Sequence, residues 1–410
     1  MTCSTDYNAN IKDFYNSYPY PKRAVDDIRH SAILPADIFA IDRYILQNRL
    51  SGYASLSILV AGSGTGDAAV ALINQSRRLN INIELHCLDL SEKSLEILRQ
   101  RVIKVDPKIN IKIYCESIET FCRNCDIQFD YIDLCGVINH VEDQVEVLRK
   151  LCNILSASGG IGIMAYGEYG RYGVYPLQRA FQSISRYHDI QIDDVRLILK
   201  SLKSNHPLLR NELFADLDKS SDEEIADIFL NPRDKSFTVA DLKDISKSAG
   251  LHISAFVPGF IYDPTLLLGV DGMSILEKMP EELRPELSES FLGTIRKHCF
   301  FATKNKHDTG AIDLTVPNLR FRFRNLNTIE TTVESMDEKW LYLSIQYEKT
   351  RRNIKIALPG HRTDKIKQIL RGDIIDEVLS TMSPQLESNQ DLVVFLNKLE
   401  ATGLGFVSSV

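Results

Sequence analysis

Ile58-Leu-Val-Ala-Gly62-Ser-Gly64-Thr-Gly66-Asp67 is an apolar run that ends in three alternate glycines and opens directly into a helical pattern. An unbroken apolar run of this length suits a strand buried on both faces. Glycines let the backbone bend sharply and approach a ligand with no Cβ in the way. A strand, a tight turn and a helix in that order commit this part of the chain to an α/β architecture, because the helix must return over a sheet. Glycines also close ordinary loops, so the turn alone leaves binding open.

The unit repeats downstream. Strands are expected at Ser57–Ala61, Ile83–Asp89, Asn110–Cys115, Phe129–Cys135 and Gly160–Ala165. Between them, Asp67–Leu79, Glu92–Lys104 and Glu142–Leu155 carry apolar residues at helical spacing, with Ser91 placed to cap the second. After Tyr166 the alternation gives way to helices over Val174–Lys203 and Asp222–Leu230, broken at Pro207 and Pro232. It resumes at Thr238, an expected cap for Val239–Ser248, and continues through strands at Leu251–Val257 and His298–Thr303. That predicts seven strands.

Beyond a polar stretch at Asn305–Gly310 the pattern becomes three β-like runs followed by three helical ones. The expected organisation is therefore an N-terminal arm or lid over 1–54 and an α/β domain over 55–304. Helical insertions interrupt that domain at about 171–233 and 263–296. A linker over 305–312 then leads to a small α+β domain over 313–410.

Charge and composition narrow the partners. The 48 basic residues are outnumbered by 55 acidic ones, a net charge of −7, which disfavours a phosphate-coating surface and hence nucleic acid. No apolar run is long enough to cross a bilayer, and the polar start is unlike a signal peptide, so a soluble, cytoplasmic chain with no membrane partner is expected. Cys122 and Cys125 lack a second pair or a histidine set, so no metal site is expected.

Asp89 ends the second expected strand, 23 residues after Gly66. In nucleotide-binding α/β folds a carboxylate there accepts ribose hydroxyls. The competing reading is that it caps the following helix. Glu116-Ser117-Ile118 follows the third strand, where an adenine ring would meet the sheet edge. The third glycine of a dinucleotide fingerprint is replaced by Asp67, and a carboxylate would repel a pyrophosphate. A phosphate-free adenosine ligand fits better, and S-adenosyl-L-methionine is one.

These segments, with Phe129-Asp-Tyr-Ile-Asp-Leu-Cys-Gly-Val-Ile-Asn139-His140, resemble the successive motifs of class I S-adenosylmethionine-dependent methyltransferases over roughly residues 10–303. The resemblance implies a seven-stranded Rossmann-like sheet with its last strand antiparallel. It implies that Gly62, Gly64 and Gly66 pack against the cofactor's amino-acid portion, that Asp89 holds the ribose, and that Ser117 and Ile118 frame the adenine. Ser63, Leu90 and Cys135 join that expected set. One departure stands out. Many members have an acid two positions before the first glycine, and here Val60 stands there, leaving the cofactor's ammonium to backbone carbonyls near Gly62 and Cys135.

For the methyl acceptor, the expected wall is the loop bearing Tyr166, Tyr169 and Arg171. His140 is the candidate base, or a cap for the next helix, and Asn139 could orient an amide or hydroxyl. Tyr18, Tyr20 and Arg23 in the proline-rich N-terminal segment would close over the cofactor as a lid, or simply pack. The C-terminal element order resembles winged-helix-like modules that recognise peptides in enzymes modifying ribosomally made peptides. The expected substrate is thus a peptide or protein, such as a precursor peptide methylated at side-chain amides. A small metabolite, with the C-terminal part serving dimerisation, and a catalytically silent cofactor-binding regulator are the alternatives.

Overall fold

The computed structural model describes residues 4–28, 34–212, 214, 216–264, 275–276, 278–306, 312–323, 329–347, 350–359, 363–380, 389–402 and 404–409. Seven strands form the main sheet: β1 (Leu56–Ala61), β2 (Ile83–Asp89), β3 (Ile111–Cys115), β4 (Phe129–Cys135), β5 (Leu155–Tyr166), β6 (His252–Phe256) and β7 (Lys297–Thr303). Their spatial order is β3-β2-β1-β4-β5-β7-β6. The first five run parallel, and β7 lies antiparallel between β5 and β6. This is the Rossmann-like sheet the motifs implied. From β1 the chain winds outward to β3, then crosses back to β4, so the order reverses between β1 and β4. Ligands of open α/β sheets bind in the crevice at such a reversal, beyond the carboxyl ends of the strands.

Local sequence explains the flanking helices. In α3 (Asp67–Leu79), Ala69, Val70, Leu72 and Ile73 face the sheet, and Asn80 ends the helix with a positive φ of 54°. Helix α4 (Glu92–Val105) starts at Ser91, whose Oγ accepts the Ser94 N–H as the sequence suggested. The Val239–Ser248 helix begins with a capping box between Thr238 and Asp241. A short helix over Ile118–Asn124, capped by Ser117, was not foreseen. Seven residues are too few to show a helical period.

The first insertion folds around its own small core. Its helices are Val174–Ile184, Ile192–Ser201, Pro207–Arg210 and Asp222–Phe229, and they bury Phe181, Val195, Ile225 and Phe229 together. The N-terminal helix α1 (Ser4–Ser17) lays Phe14 against this cluster, and Tyr18 just beyond its end packs there too. Ser91 Oγ donates to the Tyr15 carbonyl at 3.0 Å, joining α1 to the start of α4. The arm expected over 1–54 is narrower as a cover, because Ala36, Ile38, Ala40 and Ile41 are fully buried in the main core. They belong to α2 (Ile38–Tyr44) and its approach, whose apolar side chains have nowhere else to go.

After the α/β body come β8 (Arg320–Phe323), β9 (Ile329–Met336), β10 (Trp340–Tyr347) and β11 (Thr350–Ala357). Helices Thr363–Leu370, Ile375–Ser380 and Asn389–Ala401 follow, then β12 (Gly405–Ser408). Strands β9–β11 form an antiparallel sheet, and β12 pairs with β8 to close the unit end to end. Sequence reading missed β8 and β12, four residues each, because their pairing partner lies far along the chain. The winged-helix likeness rests on element order alone. This unit is bolted to α2: Arg43 Nε donates to Glu400 Oε2 at 2.7 Å with both side chains buried, and Asp42 accepts Ser408 Oγ at 2.7 Å.

Candidate functional site

Above the β1/β4 reversal the structure encloses a cavity of about 450 Å³. That volume falls in the range of sites for drug-sized ligands. Its floor is the turn after β1. Gly62 has φ 75° and Gly64 φ 50°, and a Cβ at Gly62 would sit 2.2 Å from Val137 Cγ2. At Gly64 it would sit 2.5 Å from the Tyr20 carbonyl oxygen. Both positions therefore require glycine for conformation and for space. Gly66 does not line the cavity: its missing Cβ faces Leu98 at 2.9 Å. It serves the packing of α4 on the turn, not a ligand.

Asp89 points into the same space from the end of β2. Its carboxylate accepts the Gly64 N–H at 2.7 Å and the Ser91 N–H at 2.8 Å. Burial raises its pKa, and these backbone donors pull it back down. The helix cap is Ser91 itself, so the capping alternative for Asp89 is not what the structure adopts. Leu90, Ser117 and Ile118 line the adjoining wall. The Ser117 hydroxyl is engaged in capping, accepting the Thr120 N–H at 3.2 Å. Ser63 and Cys135 complete the floor, and burial holds the Cys135 thiol far above the ordinary range, as an un-ionised group.

Asp67 is not the bare carboxylate that the sequence argument assumed. Arg23 Nη2 meets it at 2.7 Å and Arg101 Nη1 at 2.9 Å. Two guanidiniums compensate its charge, so repulsion of a pyrophosphate is a weaker objection than it looked. Arg23, expected to touch cofactor, lines the cavity and also ties the N-terminal segment to the glycine turn. The Pro21 carbonyl accepts Thr65 Oγ1 at 2.7 Å and strengthens the same seam. Tyr20 lines the cavity, whereas Tyr18 is packed in the insertion's core.

The far wall brings together residues from four distant segments. Asp227 accepts Tyr15 Oη at 3.0 Å on one oxygen and Tyr166 Oη at 3.2 Å on the other. Burial, then the nearby carboxylate, raises both phenols well above their usual pKa, so they stay neutral donors. The His140 ring sits between the two tyrosines, with centroids 6.2 Å from Tyr15 and 5.8 Å from Tyr166. Its Nδ1 donates to the Arg233 carbonyl at 2.6 Å, which fixes the orientation of the ring. His140 also lies in a 3₁₀ turn, while the cap of the next helix is Asp143.

Three expected residues are elsewhere. Asn139 donates to the Lys235 carbonyl and accepts the Tyr166 N–H at 3.2 Å, so it fixes the loop backbone. Arg171 is buried against Asp234 at 2.7 Å and stacks on the Tyr166 ring at 4.0 Å, holding the insertion in place. Tyr169 is 40% exposed. None of the three lines the cavity. Conversely, Tyr15, Asp133, Asp227 and Lys297 line it and were not foreseen. A carboxylate inside the apolar run Phe129–Cys135 was the available signal for Asp133. Asp227 and Lys297 carried none, since they reach the site only through the insertion and the last strand.

Residues 59–161 match a family described as a methyltransferase domain. Over those residues the chain carries a methyltransferase domain, set in a sheet of the Rossmann-like methyltransferase fold. The uncharacterized protein syc1184_c of Synechococcus sp. is 25% identical over 303 residues, covering 69% of this chain and 71% of its own. PKMT2 from Rickettsia typhi, solved in complex with AdoHcy, shares the fold at 16% identity with a TM-score of 0.58 over 90% of this chain and 75% of that one. A second structure of PKMT2 gives a TM-score of 0.56 at the same identity. An overlap of 90% exceeds what residues 55–304 alone can supply, so the shared fold runs into the C-terminal unit of the methyltransferase.

The cavity fits S-adenosyl-L-methionine chemically. A carboxylate end, two glycine approaches and an apolar wall at Ile118 match an adenosine. Ser63 Oγ and Asp133 Oδ2 are buried polar atoms with no hydrogen-bond partner among the described residues, the mark of a site built for a polar ligand.

Proposed function

We propose that this methyltransferase acts on a side-chain amine of a peptide or protein, with lysine the best-fitting acceptor. The observation that carries the reading is Asp227 held between Tyr15 and Tyr166 on the wall away from Asp89. A carboxylate held by two tyrosine hydroxyls, in a cavity that Tyr20 and His140 also line, suits a cation on an aliphatic stem. It would repel an acidic acceptor. The C-terminal unit, bolted to α2, offers β9 and β11 as sheet edges with no further described strand beside them, which supports a polypeptide partner.

Bound S-adenosylmethionine supplies a methyl group on a sulfonium, an already activated carbon. The residues then have alignment, dehydration and one proton to manage. Asp227 attracts the ammonium and Tyr15 and Tyr166 fix the carboxylate's direction. The amine must lose a proton before its lone pair can attack, and His140, which lines the cavity, is the group proposed to receive it. The new C–N bond forms as the C–S bond breaks, its electron pair remaining on sulfur.

Incubation of the full chain with isotopically labelled S-adenosylmethionine and matched peptides bearing lysine, asparagine or neither tests this. Label recovered as methyl-lysine by mass spectrometry is expected. Label found only on amides, or only on small metabolites from an extract, would replace lysine with those acceptors.

A further inference from the structure

We propose that Asp133 receives the α-ammonium of the cofactor's amino-acid portion. The inference rests on the cavity taking S-adenosylmethionine, and it adds a residue that neither the motifs nor the fold assigns to that ligand.

Asp133 is the backbone partner of Val60 across the β1–β4 pair. It therefore stands on the strand across the reversal from β1, one step below the Gly62 turn and the Cys135–Gly136 exit. Asp89 is on β2, the opposite neighbour of β1. The two carboxylates flank the strand over which the ligand must lie. With hydroxyls held at Asp89, the opposite end of an adenosyl amino acid reaches the Asp133 side.

The chemistry of Asp133 demands such a partner. Its side chain is only 1% exposed, yet it lines the cavity and Oδ2 has no hydrogen-bond donor among the described residues. The titratable groups around it are Tyr131 and Cys135 on its own strand, Cys87 on β2 and Cys299 on β7. None of these four can carry a positive charge, and the cavity's own lysine, Lys297 on β7, has its pKa lowered by burial. Burial pushes the Asp133 carboxyl up to about 7, against the Cys135 N–H and the Tyr131 hydroxyl, which act to lower it. A buried carboxylate without a cation is costly, and one arriving with the ligand would relieve it. The same arrangement explains how β1 can carry Val60 two positions before Gly62: the acid stands one strand over.

Calorimetry on the full chain with three ligands tests this: S-adenosylhomocysteine, its analogue lacking the amino group, and 5′-methylthioadenosine, which has no amino-acid portion. Asp133→Asn is expected to weaken S-adenosylhomocysteine by about 10- to 100-fold and to leave 5′-methylthioadenosine within a factor of about three. Wild-type protein should lose a similar factor on removal of the amino group, and the variant should lose little more. The ligand-side comparison stands even if the variant folds poorly. Equal binding of S-adenosylhomocysteine and its deaminated analogue by wild type would overturn the assignment. So would equal loss of all three ligands in the variant, which marks a structural role. Wild type binding none of them would instead remove the cofactor reading itself.

Discussion

Replacing Arg43 by Met is expected to unbolt the C-terminal unit. Arg43 and Glu400 are 4% and 3% exposed and meet at 2.7 Å, and Arg43 Nη2 also donates to Asn397 at 3.1 Å. Methionine keeps most of the buried stem but strands Glu400, whose remaining donor is the Val407 N–H at 2.7 Å. Breaking one side of a buried pair costs about 3–5 kcal/mol, because the surviving charge has lost its water and its partner. Burial already raises the Glu400 pKa, and Arg43 opposes that rise. In the variant the folded state therefore keeps a proton that the unfolded chain releases, so the penalty grows as pH climbs from about 5 towards the elevated folded value. Urea unfolding at pH 5 and pH 8 measures both effects. Arg43→Met combined with Glu400→Met should recover most of the loss, since two apolar side chains of similar volume satisfy each other. A single-variant loss under about 1 kcal/mol, or a double variant no better than the single, would refute this account of the junction.

Other perturbations read other parts of the molecule. Gly64→Ala should cost about 1–3 kcal/mol of stability and weaken S-adenosylhomocysteine binding, because its Cβ meets the Tyr20 carbonyl at 2.5 Å; thermal melts with and without ligand check it. In the ligand-free protein the Asp133 carboxyl holds its proton up to about pH 7, so wild-type stability falls as pH rises from about 4 to 7. Asp133→Asn should remove that slope and gain at most about 4 kcal/mol at pH 8 from a shift of about three units; identical wild-type and variant pH profiles would count against it. Asp227→Asn should slow methyl transfer by about 100-fold with cofactor affinity within about threefold, measured by turnover beside calorimetry. Tyr166→Phe, which removes one hydrogen bond to that carboxylate, should have a smaller effect in the same direction.

Much of the α/β body was legible because its signals are local. β2, β4 and the helix after the glycine turn fall where the alternation and the helical spacing put them. Asp89 was legible because strand end and helix cap fix it together. The acceptor side was not. Asn139 and Arg171 carry reactive-looking groups, but their sequence neighbours conceal that Lys235 and Asp234 consume them. Asp227 looks like one more acid on a helix until Tyr15 and Tyr166 arrive from more than 60 residues away. Gly66 shows the converse: the motif places it with two ligand-facing glycines, and only the three-dimensional approach of Leu98 separates their tasks.

The central claim is that the bend after β1 and the carboxylate at the end of β2 together grip the adenosyl cofactor. Titration of S-adenosylhomocysteine into wild type and Asp89→Asn tests it most directly, since asparagine keeps the size and removes the charge-assisted bonds. Saturable one-to-one binding by wild type, weakened by about 10- to 100-fold in a variant with an unchanged far-ultraviolet spectrum, is the expected result. Equal affinity in the two proteins would contradict it.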